Sequence, residues 1–311
     1  MNAVTLQNIS KSYQDVKAVR DVSFEVKKGE LFGLIGADGA GKTSIFRILT
    51  TVLLADEGVA TVAGFDVVKD YKAIRDRIGY MPGKFSLYQD LTIRENLEFF
   101  ATIFGTTIDD NYELIKDIYD QIKPFSDRRA GKLSGGMKQK LALCCALIHK
   151  PEVLLLDEPT TGVDVVSRKE FWAMLKSLKE KGITILVSTP YMDEANLCER
   201  IALIQNGRIM GVDTPENIIR AFPAKLYAAK SDNIYKLLND FRAAQAVDSC
   251  YAFGEFLHVT TKGNREAGSS ELRDLAIERG HTHVVIQEIT PGIEDSFIRL
   301  MNEKSEASAH Q

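Results

Sequence analysis

The sequence has 311 residues, 45% of them hydrophobic and 26% charged, with a net charge of −4. That balance belongs to an ordinary globular protein with one large core and a small second one, and it excludes a disordered or fibrous chain. The acidic balance without a local basic patch argues against nucleic acid as a partner, and apolar runs such as Val153–Leu156 and Ile183–Val187 are too short to enter a bilayer, so a cytoplasmic chain with no direct membrane insertion is expected.

Residues 1–35 alternate in the manner of strands, through "AVTLQNIS", "VSFEV" and the apolar "LFGLIG". A strand therefore runs straight into the glycine-rich "GADGAGKT", and helical periodicity begins at Thr43. Short strands return in "GVATVAGFDV" and "RIGYMPG". From Tyr88 to about Cys145 strand signals vanish, and "LTIRENLEFFATIFG", "NYELIKDIYDQI" and "SGGMKQKLALCCALI" carry apolar residues at helical spacing. This reads as a helical insertion between two parts of a sheet. Cys144 and Cys145 fall within it. With Cys198 and Cys250 they form neither a metal-ligand spacing nor a disulfide framework, and they read as reduced thiols.

After the insertion come the strand "EVLLLDEP", a helix, the strand "ITILVST" and the short pair "RIALIQNGRIMG", an alternation that implies a parallel sheet. "VDTPENIIRAFPAK" reads as a capped helix and then a boundary. Beyond it the order strand, helix, strand pair, helix, strand, helix predicts a small split βαβ unit. The last residues, "EKSEASAHQ", are polar and expected to fray.

Three stretches carry chemistry. "GADGAGKT", from Gly36 to Thr43, fits the phosphate-binding loop with the required strand before and helix after. Gly36, Gly39 and Gly41 let backbone N–H groups face phosphates, with Ala37, Asp38 and Ala40 between them, and the helix N-terminus carrying Ser44 adds its field. Lys42 is placed to reach the β- and γ-phosphates, and the Thr43 hydroxyl to bind Mg²⁺. "VLLLDEP" ends an apolar strand in two carboxylates: Asp157 for Mg²⁺, and Glu158 as the catalytic group that orients or deprotonates the attacking water. "LSGGM", from Leu133 to Met137, places a serine and two glycines at a helix start.

Taken together, and in this order, these stretches resemble the ATP-binding-cassette (ABC) family. The resemblance implies a P-loop NTPase cassette, a mixed sheet with a helical subdomain, over residues 1–220, with the helical part at about 84–148. Residues 221–311 would form an accessory ferredoxin-like α+β domain. It implies ATP and Mg²⁺ as cofactors. Tyr13 in "SKSYQDVKAVRDVSFEV" matches the aromatic that stacks on adenine, and Ser134, Gly135 and Gly136 match the signature that contacts the γ-phosphate held by the opposite cassette of a dimer. Asp164 in "TTGVD" matches the aspartate between the two cassettes. "SLYQDLTIRENLEFFATIFG", "LSGGMKQKLALCCALIHKPEVLLLDEPTTGVD" and the tail "ITPGIEDSFIRL" are similar to the ABC-2, drug-exporter branch.

That branch implies integral membrane ABC-2 type permease subunits as partners, a place on the cytoplasmic face of the membrane, and a second cassette in a homodimer or heterodimer. A soluble ABC ATPase of translation or DNA maintenance fits less well, since those proteins carry two cassettes or a long coiled-coil insertion.

Two positions depart from the family pattern. It asks for histidine at Pro190, to touch the γ-phosphate, and for glutamine at Gly83, to help bind Mg²⁺ and link the site to the membrane partner. His149 and Gln89 are not placed to replace them. The pairing of "MPGKFSLY" with "STPYMDEA" resembles the first cassette of double-cassette exporters. Nucleotide binding is expected to persist while turnover is weakened, the alternative being a purely regulatory subunit paired with a competent cassette.

Overall fold

A computed structural model describes residues 1–263 and 268–309. The chain divides into two compact units, Met1–Pro215 and Glu216–Gln311. The division falls earlier than the residue 220 read from the sequence, because Ser296 in the last helix donates from its hydroxyl to the Ile218 carbonyl at 3.4 Å and so ties that turn to the second unit.

In the first unit, β1 (Asn2–Tyr13) and β2 (Val16–Lys27) form a long antiparallel hairpin, each strand longer than its apolar stretch suggested. β3 (Leu31–Ile35) leads into α1 (Lys42–Leu49). β4 (Glu57–Val62), β5 (Phe65–Asp66), α2 (Tyr71–Arg75) and β6 (Ile78–Met81) follow. The helical segment contains α3 (Ile93–Ile103), α4 (Tyr112–Tyr119) and α5 (Gly135–Leu147). α3 starts at a capping box: Thr92 accepts from the Glu95 N–H and the Glu95 carboxylate accepts from the Thr92 N–H. Then come β7 (Val153–Asp157), α6 (Val165–Glu180), β8 (Thr184–Thr189), β9 (Arg200–Gln205) and β10 (Arg208–Asp213).

These strands form two sheets. One is antiparallel in the order β2-β1-β4-β5; the other runs β10-β9-β3-β8-β7-β6, parallel except for the β9–β10 hairpin at its edge. The second sheet is the mixed sheet the family resemblance implied. α1 belongs to the core that both sheets share: Ile45, Phe46, Ile48 and Leu49 are buried with Leu6 and Ile9 of β1, Phe32 and Leu34 of β3, and Leu155 and Leu186. Each such side chain contributes about 1.5–3 kcal/mol by leaving water, so the helix carrying Lys42 is held rigidly. The turn after Pro190 is a 3₁₀ segment, Met192–Leu197. All four cysteines are free and buried.

The second unit begins within α7 (Pro215–Arg220), continues through β11 (Leu226–Lys230), α8 (Ile234–Arg242), β12 (Val247–Phe253), β13 (Phe256–Thr261), α9 (Gly268–Glu278) and β14 (Val285–Ile289), and closes with α10 (Ile293–Ala309). Its sheet is antiparallel in the order β12-β13-β11-β14, which is the split βαβ topology. Tyr227, Leu237, Phe241, Val259, Leu272 and Ile286 fill its core. The tail expected to fray instead continues α10 to Ala309; His310 and Gln311 lie outside the described residues.

Candidate functional site

The site lies at the carboxyl ends of the parallel strands, where an open α/β sheet places its ligands. The loop from Gly36 to Gly41 joins β3 to α1, and its glycines are used in two ways. A Cβ on Gly36 would lie 2.2 Å from the Ile204 carbonyl oxygen, so only a glycine lets the loop leave β3 that close to β9. Gly41 caps α1 in the left-handed region at φ 107°, and a Cβ there would meet the Ala18 carbonyl at 2.4 Å. Gly39 also has positive φ, while Ala37 and Asp38 are exposed at the loop tip and Ala40 is buried.

Lys42 is buried. Its ammonium donates to the carbonyls of Gly36 at 2.7 Å and Ala37 at 2.9 Å and pairs with Glu158 Oε1 at 3.0 Å. Thus the loop curls around its own lysine, and the two sequence-predicted elements "GKT" and "DEP" meet. The Thr43 hydroxyl bonds the Asp157 carboxylate. Ser44 lies within reach of Tyr13, their hydroxyl oxygens 3.3 Å apart, so the candidate adenine-stacking ring stands beside the start of α1 and is 40% exposed.

Parallel register between β7 and β8 sets Asp157 opposite Ser188. The Ser188 hydroxyl donates to Asp157 Oδ1 at 2.7 Å, and the Glu158 N–H points at the same residue, 3.0 Å from its Oγ and 3.1 Å from its carbonyl oxygen. Burial pushes the Asp157 carboxyl above its usual range, against the pull of its bonds from Ser188 and Thr43. Burial, with Asp157 next, pushes the Tyr80 hydroxyl up to about 12. Glu158 has φ 52°, a left-handed backbone that costs a non-glycine residue on the order of 1 kcal/mol and is kept where surroundings enforce it. Sequence reading did not single out Ser188. Its signal was faint: a hydroxyl at the end of a buried strand, meaningful only once the register is known.

The two departures from the family pattern sit at this site. A Cβ on Gly83 would lie 3.1 Å from the Asp157 carbonyl oxygen and 3.8 Å from the Glu158 Cβ. Pro190 follows Thr189, whose carbonyl accepts the Gly36 N–H at 3.2 Å. His149 is no substitute for the missing histidine. Its ring stacks on Phe104 at 3.8 Å, its Nε2 bonds the Ile78 carbonyl at 3.0 Å, and burial holds its pKa down. Gln89 is engaged through its own carbonyl with the Gly131 N–H, at 2.9 Å.

Ser134–Gly136 and Asp164 form a second group. Ser134 caps α5 by accepting from the Met137 N–H, and Asp164 caps α6 by accepting from Val166 and Ser167. The Ser167 bond holds the Asp164 carboxyl below its usual range. The two helix starts touch, since a Cβ on Gly136 would fall 2.6 Å from Ser167 Oγ. Ser134, Gly135 and Asp164 are all exposed. A groove of about 550 Å³ opens between the sheet end and the helical segment, lined by Val52, Met81, Gly83, Phe104, Gln139 and Glu158 among others.

Fold and site together define a P-loop nucleotide-binding protein with a helical subdomain. The profile of the family described as "ABC transporter" matches residues 19–161. The chain is 37% identical over 304 residues to "Probable multidrug ABC transporter ATP-binding protein YbhF" of Escherichia coli (strain K12), covering 96% of this chain and 52% of the relative, so it spans about half that protein's length. It is 35% identical over 306 residues to "Nod factor export ATP-binding protein I" of Sinorhizobium fredii (strain NBRC 101917 / NGR234), covering 96% of this chain and 85% of the relative. Among solved structures, the dimeric ATP-binding cassette MJ0796 in a post-hydrolysis state with ADP and Pi superposes with a TM-score of 0.61. It is 25% identical and covers 68% of this chain and 98% of its own. The chain belongs to the ABC transporter ATP-binding family. Among the described residues, no helix is long and apolar enough to cross a membrane.

Proposed function

We propose that the chain is the ATP-binding subunit of an ABC-2 type exporter, binding Mg²⁺-ATP and hydrolysing it slowly to drive export through separate membrane subunits. The observation that carries this reading is the cluster of Lys42, Thr43, Asp157 and Glu158 at the ends of β3 and β7. The backbone of Gly36–Gly41 would hold the phosphates and Lys42 would neutralise them. Thr43 and Asp157 would hold Mg²⁺, which supplies charge neutralisation at the β- and γ-oxygens. Tyr13 would stack on adenine, and Glu158 would orient the attacking water. The name of the Nod factor export relative supports the direction of transport.

On this reading the apolar-walled groove between Val52 and Phe104 receives a segment of the membrane subunit, which holds the chain on the cytoplasmic face. Ser134, Gly135, Gly136 and Asp164, all at helix starts, face a second cassette in a dimer. With Gly83 and Pro190 at its own site, the chain pairs best with an unlike cassette that hydrolyses faster. A purely regulatory role is the second reading, and those same two residues favour it.

The test mixes the chain with a candidate second cassette. Ser134→Arg should lower steady-state hydrolysis by the mixture at least about tenfold while leaving ATP affinity of the variant chain unchanged, because the signature would act on the partner's nucleotide. A mixture whose rate ignores Ser134→Arg would remove the signature from the reading.

A further inference from the structure

Behind the bare turn at Pro190 lies a buried carboxylate. Glu194 stands in the first turn of the 3₁₀ segment Met192–Leu197 and is 2% exposed. A charge at that depth has to be paired and hydrogen-bonded. Its Oε2 accepts from the Thr189 hydroxyl at 2.5 Å and from the Thr160 hydroxyl at 3.1 Å, and its Oε1 takes the Arg168 guanidinium at 3.0 Å. The three partners come from three segments. Thr189 ends β8, and its carbonyl holds the Gly36 N–H. Thr160 lies two residues beyond Glu158. Arg168 is one turn into α6, the helix that Asp164 caps.

We propose that Glu194 is a positioning residue for ATP hydrolysis: it fixes the segment carrying Glu158 against the phosphate-loop strand and the start of α6. The proposal rests on the ATPase reading above. Glu158 keeps a left-handed backbone, and such a conformation survives only where both flanks are held. Ser188 holds its N–H side; Thr160, through Glu194, holds the other. The Pro190 turn is clamped by the same cluster. The Thr189 hydroxyl accepts from the Tyr191 N–H at 3.1 Å, and the Arg168 guanidinium lies 4.1 Å from the Tyr191 ring centre. Since the Thr189 hydroxyl accepts from Tyr191, its proton goes to Glu194, and all three partners of the carboxylate donate. A glutamine would turn an amide donor toward at least one of them.

The experiment is single-turnover hydrolysis by the full chain in excess over Mg²⁺-ATP, with equilibrium ATP affinity measured separately. Wild type, Glu194→Gln, Glu158→Gln and the double variant are compared. Glu194→Gln should slow the chemical step about 10- to 100-fold, as misplacement of a reacting group by a fraction of an ångström does, while ATP affinity stays within about twofold. In the Glu158→Gln background it should add no further loss, because it acts through Glu158. Three results overturn the proposal: an unchanged rate, a fall in affinity that matches the fall in rate, or the same fold-loss in both backgrounds. Should Glu194→Gln not fold, Thr160→Val removes one of the bonds at nearly constant shape and is read by the same criteria. A wild-type rate that Glu158→Gln does not change overturns the ATPase reading itself; a Glu158-dependent rate that Glu194→Gln leaves alone overturns only this proposal.

Discussion

At the ends of β3 and β7 the chain sets Lys42, Thr43, Asp157 and Glu158 in one bonded cluster, whereas just beyond the ends of β6 and β8 it sets Gly83 and Pro190. The first region is a floor on which phosphates and a metal ion can be neutralised. The second is a rim whose two residues, a glycine and a proline, carry no side-chain donor or acceptor. Both are built from adjacent strands of one sheet, so the backbone frame is shared and only the side chains differ. Affinity and turnover are therefore separable here, and substitutions on floor and rim should act on different quantities.

The largest effect is expected on the floor. On the proposed reading Lys42→Ala removes the ammonium that would neutralise two phosphates, and charge-assisted hydrogen bonds contribute about 1.5–3 kcal/mol each, so affinity for Mg²⁺-ATP should fall on the order of 10²-fold or more. Titration calorimetry at fixed salt checks this. An affinity within about threefold of wild type would mean that the floor is not the phosphate site.

On the rim, Pro190→His should raise turnover with little change in affinity. A positioned proton-transfer or water-orienting group is typically worth about 10²–10⁴-fold, and with Gly83 unchanged a gain of at least about tenfold is expected in steady-state ATPase activity. Gly83→Gln should add less. Its Cβ would meet the Asp157 carbonyl at 3.1 Å, so the strand end must give by a few tenths of an ångström before the amide can settle beside Asp157 and Glu158. A wild type that already turns over as fast as Pro190→His would dissolve the contrast between floor and rim.

How much of this contrast was legible beforehand depends on locality. The phosphate loop could be read because its pattern is contiguous and its context is a strand before and a helix after. Gly83 and Pro190 were visible as departures from the family pattern. The bonds from Ser188 to Asp157 and from Thr160 to Glu194 were not, because they depend on β7 and β8 lying side by side in one register, and residues 31 and 34 apart carry no periodic trace of that. Glu194 itself looks like an ordinary solvated acid in a helical first turn; only its burial changes the meaning. The fold shows the same division. Strand alternation in residues 1–35 marked β1 and β2 but not that they leave the main sheet for an antiparallel one, since alternation reports a buried face and not the neighbouring strand.

The smallest effect concerns what the floor costs when nothing is bound to it. Asp157 is 2% exposed, and its burial holds the carboxyl above its usual range, with the Ser188 and Thr43 bonds only partly opposing this. A folded-state pKa raised above the unfolded value means that the native state holds the proton more tightly. Stability from this group is then greatest below the unfolded pKa, declines as pH rises through the folded pKa, and is lowest once the carboxylate is ionised. At neutral pH the charge is therefore a burden that Mg²⁺ would relieve. Asp157→Asn keeps the shape and removes the charge, so without nucleotide the variant should melt on the order of 2 °C higher than wild type at pH 7, a shift that corresponds to less than about 1 kcal/mol in a unit of this size. The gap should close as pH falls below the folded pKa. With saturating Mg²⁺-ATP the order should invert if Asp157 holds Mg²⁺ as proposed, because wild type gains the ligand's binding free energy and the variant gains little. Thermal melts at two pH values, with and without Mg²⁺-ATP, give all four readings. A variant that melts lower than wild type without nucleotide would assign Asp157 to the scaffold; one that keeps the full nucleotide-induced shift would take it off the floor.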